Sequence, residues 1–278
     1  MSARKTTRRR ARKPLTGRRW GLPLAAAAVV GALGLWFFAG DGASAAQETS
    51  AYGYEILDRH PHDSSAYTQG LYFEDGVLFE GTGRRGRSFL REVGIESGAV
   101  TREVALPPTF FGEGIATLDT RIFQLTWTSG VGFIYDKGTF RQLGSFRYPG
   151  EGWGLTTDGE FLIMSDGTAE IRFLDPESFA EVRRIEVRDA DGPVTNLNEL
   201  EYVDGGIFAN IWFSNSIVEI DPESGTVRRS IDFTPLYDEV RPRETDAVLN
   251  GIAFDSAQDR FFITGKLWPT MFEVRLDP

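Results

Sequence analysis

A short segment containing glycine and polar residues recurs five times along the chain, and this repetition constrains the fold more than any other feature of the sequence. With Gly70, Gly114, Gly154, Leu200 and Gly251 taken as equivalent positions, the spacings are 44, 40, 46 and 51 residues. Repeats of roughly 40–50 residues made of short strands are typical of the four-stranded blades of a propeller. The sequence therefore predicts an all-β fold, a five-bladed β-propeller.

The residues between the repeat positions favour β-strands. Short apolar, β-branched and aromatic runs alternate with Gly, Asp-Gly, Asp-Pro and Ser-Gly turns, a pattern typical of antiparallel sheets. A second apolar run follows each opening segment at a matching offset, at residues 78–82, 122–126, 161–165, 207–211 and 260–264. Each repeat therefore begins with two adjacent strands of one blade.

The last repeat leaves room for only three strands before Pro278. Residues 54–59 form a strand-like run before the first repeat and have no other partner. We predict that this run supplies the outer strand of the last blade, because such pairing closes the ring and covers its open edges.

The N-terminus has the order of an export signal. A basic tract at residues 4–19 is followed by an uncharged apolar run at 22–39 and by small residues at 43–45. The apolar run is also near the length that spans a bilayer, so a cleaved signal peptide and an uncleaved anchor both stay open. We expect an exported protein, periplasmic or extracellular, that meets the membrane only through this segment.

The charge is divided unevenly along the chain. Residues 1–45 hold 9 of the 30 basic residues and one acid, Asp41, so the remainder carries 21 basic and 39 acidic residues, a net charge of −18. Such a surface repels phosphate backbones, which argues against nucleic acid as a partner.

We expect a linker at 46–52 and a monomeric propeller domain at 53–278.

Cysteine and histidine usage excludes several kinds of chemistry. The chain has no cysteine and only two histidines, His60 and His62. Disulfides, thiolate metal sites and cysteine nucleophiles are therefore absent, and a Ser-His-Asp triad or a multi-histidine zinc site would be hard to assemble. We expect no required cofactor and no catalytic metal, and we leave a structural cation in the channel open.

The innermost strand of each propeller blade lines a central channel, so residues at the start of each repeat gather at one mouth. The residues just before the shared glycine position are Gln69, Glu113, Trp153, Glu199 and Asn250. The ends of the second strands add Trp127, Trp212 and Lys266. A carboxylate, an ammonium, amides and indoles suit proton transfer on a small neutral or cationic substrate.

Purely structural roles are open for several of these residues. Gln69, Glu199 and Asn250 would serve equally well by holding the channel together through hydrogen bonds, and the tryptophans by packing. Lys266 is harder to explain in this way, because a lysine among apolar neighbours needs an acidic partner. We expect that partner to be Glu113.

Eight short motifs, at least one in every repeat, resemble the plant and bacterial type of glutaminyl-peptide cyclotransferase. They are Tyr67-Thr-Gln-Gly-Leu71, Phe111-Gly-Glu-Gly114, Gln124-Leu-Thr-Trp127, Gly152-Trp-Gly-Leu-Thr-Thr-Asp-Gly159, Leu197-Asn-Glu-Leu-Glu201, Ala209-Asn-Ile-Trp212, Leu249-Asn-Gly-Ile-Ala253 and Thr264-Gly-Lys-Leu-Trp-Pro269. The resemblance implies a five-bladed propeller that acts on peptides or proteins with an N-terminal glutamine. It also implies that pyroglutamate forms and ammonia leaves.

The resemblance also implies roles for individual residues. Glu113 corresponds to the catalytic proton shuttle, and Lys266, a polar contact to the substrate, is the second expected catalytic residue. The expected substrate-binding residues are the polar Gln69 and Asn198 and the aromatic Tyr67, Phe111, Trp127, Trp153 and Trp212. Tyr67 stands where some members have phenylalanine, which leaves a stacking role intact.

Two alternatives from other functional classes remain at this stage. A calcium-dependent lactonase of propeller type would use Glu, Asn and Asp ligands around a metal, but such proteins usually have six blades. A propeller that serves only as a binding scaffold is the second alternative, since propellers commonly bind partners on one face.

Overall fold

The computed structural model describes residues 50–277, so the expected export segment lies outside the described residues. Apart from the short helix α1, the regular structure of this part is all strand. Two strands come first, β1 (Ser50–Tyr52) and β2 (Tyr54–Pro61). Within residues 50–277, no helix is long and apolar enough to span a membrane.

Five four-stranded antiparallel blades follow the chain order, and they confirm the predicted five-bladed propeller. Blade 1 contains β3 (Thr68–Glu74), β4 (Val77–Thr82), β5 (Phe89–Val93) and β6 (Val100–Ala105). Blade 2 contains β7 (Gly112–Leu118), β8 (Arg121–Thr126), β9 (Val131–Asp136) and β10 (Gln142–Arg147). Blade 3 contains β11 (Leu155–Thr157), β12 (Leu162–Ser165), β13 (Glu170–Leu174) and β14 (Glu181–Glu186).

The remaining strands build blades 4 and 5. A small hairpin of β15 (Arg188–Asp189) and β16 (Gly192–Pro193) precedes blade 4. Blade 4 contains β17 (Leu197–Val203), β18 (Gly206–Ile211), β19 (Ser216–Ile220) and β20 (Val227–Asp232). Helix α1 (Thr234–Val240) leads to blade 5, with β21 (Leu249–Asp255), β22 (Arg260–Gly265) and β23 (Thr270–Leu276).

The N-terminal strand completes blade 5, as the sequence predicts. β2 pairs antiparallel with β23, from Tyr54 opposite Leu276 to Pro61 opposite Thr270. β1, which lies in the segment expected to be a linker, pairs parallel with the outer strand β20 of blade 4. The N-terminal side of the propeller is thus hydrogen-bonded to two consecutive blades, and the last blade keeps no unpaired outer edge of β23.

The apolar core lies between neighbouring blades. One cluster joins Phe208 and Ile217 of blade 4 to Ile263 and Phe272 of blade 5, and a second joins blade 1 to blade 2. The outer strand β14, by contrast, is exposed at four of its six positions, and only Ile185 is buried. The sheets therefore stack face to face around the ring, and only the outer strands need a polar face.

A β-bulge recurs near the start of four inner strands, and it corrects the repeat alignment in blade 4. In β7, Ile115 lies opposite Gln124, and in β17 Leu200 lies opposite Ala209 at the matching place. Leu200 is therefore equivalent to Ile115, so the equivalence with Gly114 assumed from the sequence is wrong by one residue. Glu199 occupies the glycine position, and the sequence misplaced it because blade 4 lacks the glycine that marks this position in the other blades.

The glycines at this position let the inner strands approach closely. A Cβ atom placed on Gly154 would lie 1.9 Å from the backbone oxygen of Asn198 in the next blade. A Cβ on Gly114 would lie 2.5 Å from the backbone nitrogen of Leu155. Because backbone atoms cannot move aside as a flexible side chain does, these positions admit no side chain without separating two blades.

We predict that Gly154→Ala destabilises the propeller by about 1–3 kcal/mol, the usual cost of overpacking a closely packed interior. The matched control is Gly144→Ala on β10, where the nearest atom to an added Cβ is 3.8 Å away. Thermal unfolding of both variants measures the difference. Equal melting temperatures for the two variants would show that the inner strands do not depend on this contact.

Candidate active site

One cavity at the start of the inner strands is lined by all nine residues to which the family resemblance gave a role. It encloses about 170 Å³. Its lining residues are Tyr67, Gln69, Phe111, Glu113, Trp127, Trp153, Asn198, Trp212 and Lys266. All five blades contribute to it, so the cavity exists only in the closed ring.

Two repeated positions of the blade supply most of these side chains. Gln69, Glu113 and Asn198 are each the second residue of an inner strand, where the register shift of the bulge falls. Bulges re-aim the side chain of the extra residue, which explains why three polar groups turn to the same mouth. The cavity thus collects equivalent positions of different repeats.

The residues just after the second strands form the other repeated position. Trp127, Trp212 and Lys266 directly follow β8, β18 and β22 in the hairpins that lead to the third strands. The Lys266 backbone nitrogen donates to the oxygen of Val248 at 2.9 Å, and that of Trp212 donates to Asn196 at 2.8 Å. The hairpins are therefore anchored to the segments that precede the inner strands.

Glu199 and Asn250, placed at the mouth by the sequence alignment, do not line the cavity. Glu199 accepts hydrogen bonds from the backbone nitrogens of Leu71 at 3.1 Å and Ile252 at 2.8 Å. Asn250 donates to the backbone oxygen of Thr68 at 2.9 Å. Both therefore hold neighbouring inner strands together, and Asn198 takes the place at the mouth that the one-residue misalignment gave to Glu199.

Burial dominates the electrostatics of Glu113. Its side chain is almost fully buried, and the loss of hydration raises its pKa well above the ordinary value. The charge of Glu151 also raises the pKa, whereas Lys266 and a hydrogen bond with Gln69 act in the opposite direction. The result is a carboxyl group that holds its proton more tightly than an exposed glutamate.

Burial acts in the reverse direction on Lys266. The loss of hydration lowers the pKa of this lysine to about 8, although Glu113 and then Asp246 oppose the change. No ion pair within 4 Å joins Lys266 to Glu113 among the salt bridges of the described chain, so the expected acidic partner acts across a gap. The Nζ atom lies 5.0 Å from the centroid of the Tyr67 ring instead. A space bordered by both groups is left for a substrate.

The aromatic side chains form two contacting series around the cavity. The Phe111 ring centroid lies 6.0 Å from that of Tyr67 and 5.7 Å from that of Trp127, both edge-to-face. On the other side, Trp153 and Trp212 meet edge-to-face at 5.4 Å. Such pairs prefer these geometries, so the walls hold each other in place.

Glu151, which the sequence analysis missed, joins the two aromatic series. Its Oε2 atom accepts hydrogen bonds from the indole nitrogens of Trp127 at 2.7 Å and Trp153 at 2.9 Å. The residue directly precedes the Gly-Trp-Gly motif, and an acid beside an indole-rich motif was the available signal. One carboxylate oxygen therefore fixes the relative positions of two walls.

Tyr67 is held from outside the cavity by two further residues that the sequence did not indicate. The Tyr67 hydroxyl interacts with Asp246, and the Arg84 guanidinium lies 4.5 Å from the ring centroid. Arg84 and Asp246 also form an ion pair at 3.3 Å. Asp246 lies in the segment between blades 4 and 5, outside the repeated positions, so no motif pointed to it.

Asn198 presents an unused acceptor at the cavity. Its Oδ1 atom is buried and has no hydrogen-bond partner among the described residues. A buried polar atom without a partner costs free energy, so such an atom in a ligand cavity is suited to an N–H donor of the ligand.

A larger cavity of about 790 Å³ lies at the other ends of the inner strands. Glu74, Asp75, Glu201 and Asp255 contribute carboxylates to its lining, and burial raises the pKa of Glu201 to about 8. No lysine and no indole line it. The smaller cavity therefore combines the acid, base and aromatic groups, although it is not the largest.

Of the two histidines, His60 pairs with a residue inside blade 5, and His62 connects blade 5 to blade 1. His60 Nε2 lies 3.0 Å from Glu273, and His62 lies 3.0 Å from Glu80 and 2.7 Å from the backbone oxygen of Trp268. In the part of the chain that the structure describes, no group of three or more His, Cys, Asp or Glu side chains is placed to hold a metal.

Comparisons with known proteins agree with one another. The model of the glutamine cyclotransferase family matches residues 29–276. The chain is 39% identical to a glutaminyl-peptide cyclotransferase of Arabidopsis thaliana over 227 residues, which are 80% of this chain and 71% of that protein. It matches the crystal structure of Myxococcus xanthus glutaminyl cyclase with a TM-score of 0.79 and 40% identity, covering 83% of this chain and 99% of that one. The resemblance inferred from the motifs is confirmed.

We predict that Glu151→Ala releases the two indoles, whereas Glu151→Gln keeps them, because a carboxamide oxygen also accepts two hydrogen bonds. Indole N–H resonances in ¹H–¹⁵N NMR spectra measure this, and those of Trp127 and Trp153 should shift only in the alanine variant. Trp268, whose indole donates to Ala247 at 3.0 Å, is the internal control. Unshifted Trp127 and Trp153 resonances in Glu151→Ala would contradict the assignment.

Proposed function

The chain belongs to the glutamine cyclotransferase family, and on that premise we propose that it converts the N-terminal glutamine of peptides and proteins to pyroglutamate, with release of ammonia. The observation that carries the proposal is the pairing of buried Glu113 and Lys266 across a small cavity with aromatic walls. The reaction is an aminoacyl transfer within one residue, so the site needs to hold only that residue.

The size of the cavity fits such a substrate. Sites for drug-sized ligands enclose about 300–1,000 Å³, whereas this cavity encloses about 170 Å³. One glutamine side chain with its α-amine fills it, and the rest of the peptide continues outward through the mouth. The aromatic walls exclude extended rotamers and bring the α-nitrogen close to the side-chain carbonyl carbon, which lowers the entropic part of the barrier.

The proton transfers assign Glu113 as the acid-base group. A free α-amine has a pKa of about 7.7–8.0, so a neutral, nucleophilic fraction exists near neutral pH. As the α-nitrogen bonds to the side-chain carbonyl carbon, Glu113 accepts one proton from that nitrogen. It then gives the proton to the carboxamide nitrogen, the C–N bond breaks, and ammonia leaves. The ring keeps one N–H, so atoms and charge balance.

The remaining polar groups stabilise the developing negative charge and orient the substrate and Glu113. The Lys266 ammonium faces the negative charge that develops on the carbonyl oxygen during attack. The Oδ1 atom of Asn198 accepts a hydrogen bond from an N–H of the substrate, which relieves its unpaired state. Gln69 interacts with Glu113 and keeps the carboxyl group directed at the cavity.

We further propose that the reaction needs no cofactor and that the protein is exported by residues 1–45 and acts as a monomer. Unchanged activity after treatment with a chelator separates this function from that of a calcium-dependent lactonase. Turnover of a Gln-initiated dipeptide, followed by ammonia release, separates it from that of a binding scaffold. Fractionation of cells tests the export.

We predict that Glu113→Gln lowers kcat by about 10²–10⁴-fold, the usual contribution of a general acid-base group, with little change in melting temperature. Glu201→Gln is the matched control, because it also removes a buried carboxyl group but at the opposite cavity. Steady-state ammonia release measures both variants. Near wild-type kcat in Glu113→Gln would refute the acid-base role.

We predict a loss of kcat/KM as the pH rises through about 8, because Lys266 is charged below its pKa of about 8 and neutral above it. Protonation of the substrate amine and of Glu113, which must be ionised to accept a proton, limits the rate on the acidic side of the profile. Lys266→Arg, which keeps its charge at all accessible pH values, should remove the alkaline decrease whatever its absolute rate. An unchanged alkaline limb in that variant would assign the ionisation to another group.

A further inference from the structure

Phe213 has the most exposed side chain of any large hydrophobic residue in the described part of the chain, with 61% of its surface accessible. It directly follows Trp212, a wall of the cavity, in the hairpin between β18 and β19. An exposed aromatic ring beside a ligand cavity is a candidate contact for the part of the ligand that lies outside the cavity.

The backbone conformation at Phe213 is one that disfavours a bulky side chain. Its φ angle is +63°, and the equivalent hairpin residues Arg84, Gly167 and Leu267 also have positive φ angles of 79°, 81° and 61°. Glycine adopts this conformation without strain, whereas a bulky side chain does so at a cost. The hairpin shape therefore requires no phenylalanine, and burial does not explain it either.

The contacts of Phe213 continue the aromatic wall outward. Its ring centroid lies 4.5 Å from that of Trp212, and Trp212 in turn contacts Trp153 inside the cavity. Trp127, another wall, is 36% exposed. The apolar surface of the cavity thus extends without interruption from Trp153 through Trp212 to Phe213 on the surface.

Among the other residues at this hairpin position, Arg84 already makes ion pairs and a ring contact within the protein. Its guanidinium forms ion pairs with Glu244 at 3.1 Å and Asp246 at 3.3 Å, and it covers the Tyr67 ring. Leu267 is partly buried. Phe213 is therefore the residue at this position that offers a large apolar surface to a ligand.

We propose that Phe213 and the adjoining edge of Trp212 form a subsite for the side chain of the second residue of the substrate, and that the subsite favours aromatic and large aliphatic residues. This proposal rests on the proposed function. The cavity holds one residue, and the next side chain lies about 3.3–3.6 Å further along an extended chain, at the mouth. Stacking on Phe213 would bury apolar surface of both partners.

The test compares kcat/KM for Gln-Gly, Gln-Ala, Gln-Leu and Gln-Phe amides. The wild-type protein should favour Gln-Phe over Gln-Gly by about three- to tenfold, the range expected for one aromatic contact. Phe213→Ala should abolish this preference, mainly through KM, and leave turnover of Gln-Gly unchanged. Val182→Ala on the outer strand β14, where the side chain is 50% exposed, is the matched control and should keep it.

A second variant distinguishes loss of the aromatic ring from misfolding. Phe213→Asn also removes the ring, and asparagine tolerates positive φ angles better than phenylalanine, so this variant should be at least as stable as the wild type. Equal kcat/KM for all four amides in the wild type, or a preference that survives both substitutions, would overturn the subsite. Failure of every Gln-initiated amide to release ammonia would overturn the proposed function and the subsite with it.

Discussion

The pairing of β2 with β23 is the interaction on which the rest of the structure depends. Lys266 belongs to blade 5 and Glu113 to blade 2, and blade 1 stands between them only because the ring is closed. Contacts across the join reinforce this closure, since the backbone nitrogen of Leu267 donates to Ala66 at 2.7 Å and His62 contacts Glu80. Residues that are more than 150 positions apart in sequence therefore share one cavity. An open ring would keep the strands but scatter the site.

Closure of the ring also buries Glu113 and Lys266, and the loss of hydration shifts the pKa of both side chains. Burial raises the pKa of Glu113 and lowers that of Lys266, so their proton affinities converge in the cavity. The two groups oppose each other's shifts without a contact ion pair, which leaves both available to a substrate. Glu199 connects three inner strands, because its carboxyl oxygens accept N–H groups of blades 1 and 5. The inner strands that carry the site are thus held by hydrogen bonds as well as by packing.

The sequence predicted the features that recur at equivalent positions of the five repeats. Five opening segments predicted five blades, and the unpaired first strand predicted closure. The motifs identified the residues that line the cavity. The repeat pattern failed at Leu200, because blade 4 has Glu199 where the other blades have glycine, so the residue that marks the position is missing there. It also missed Glu151 and Asp246, because the hydrogen bonds that they make with Trp127 and Tyr67 depend on three-dimensional placement.

Ring closure places Glu113 in a water-poor cavity opposite the buried Lys266. Titration of the Glu113 carboxyl carbon by ¹³C NMR, assigned by comparison with Glu113→Gln, measures the effect of this placement. We expect a midpoint well above the value of about 4.3 for a free glutamate side chain, and a further rise in Lys266→Met, where the opposing charge is gone. An ordinary midpoint that does not respond to the loss of Lys266 would show that Glu113 is neither buried nor opposed by a cation.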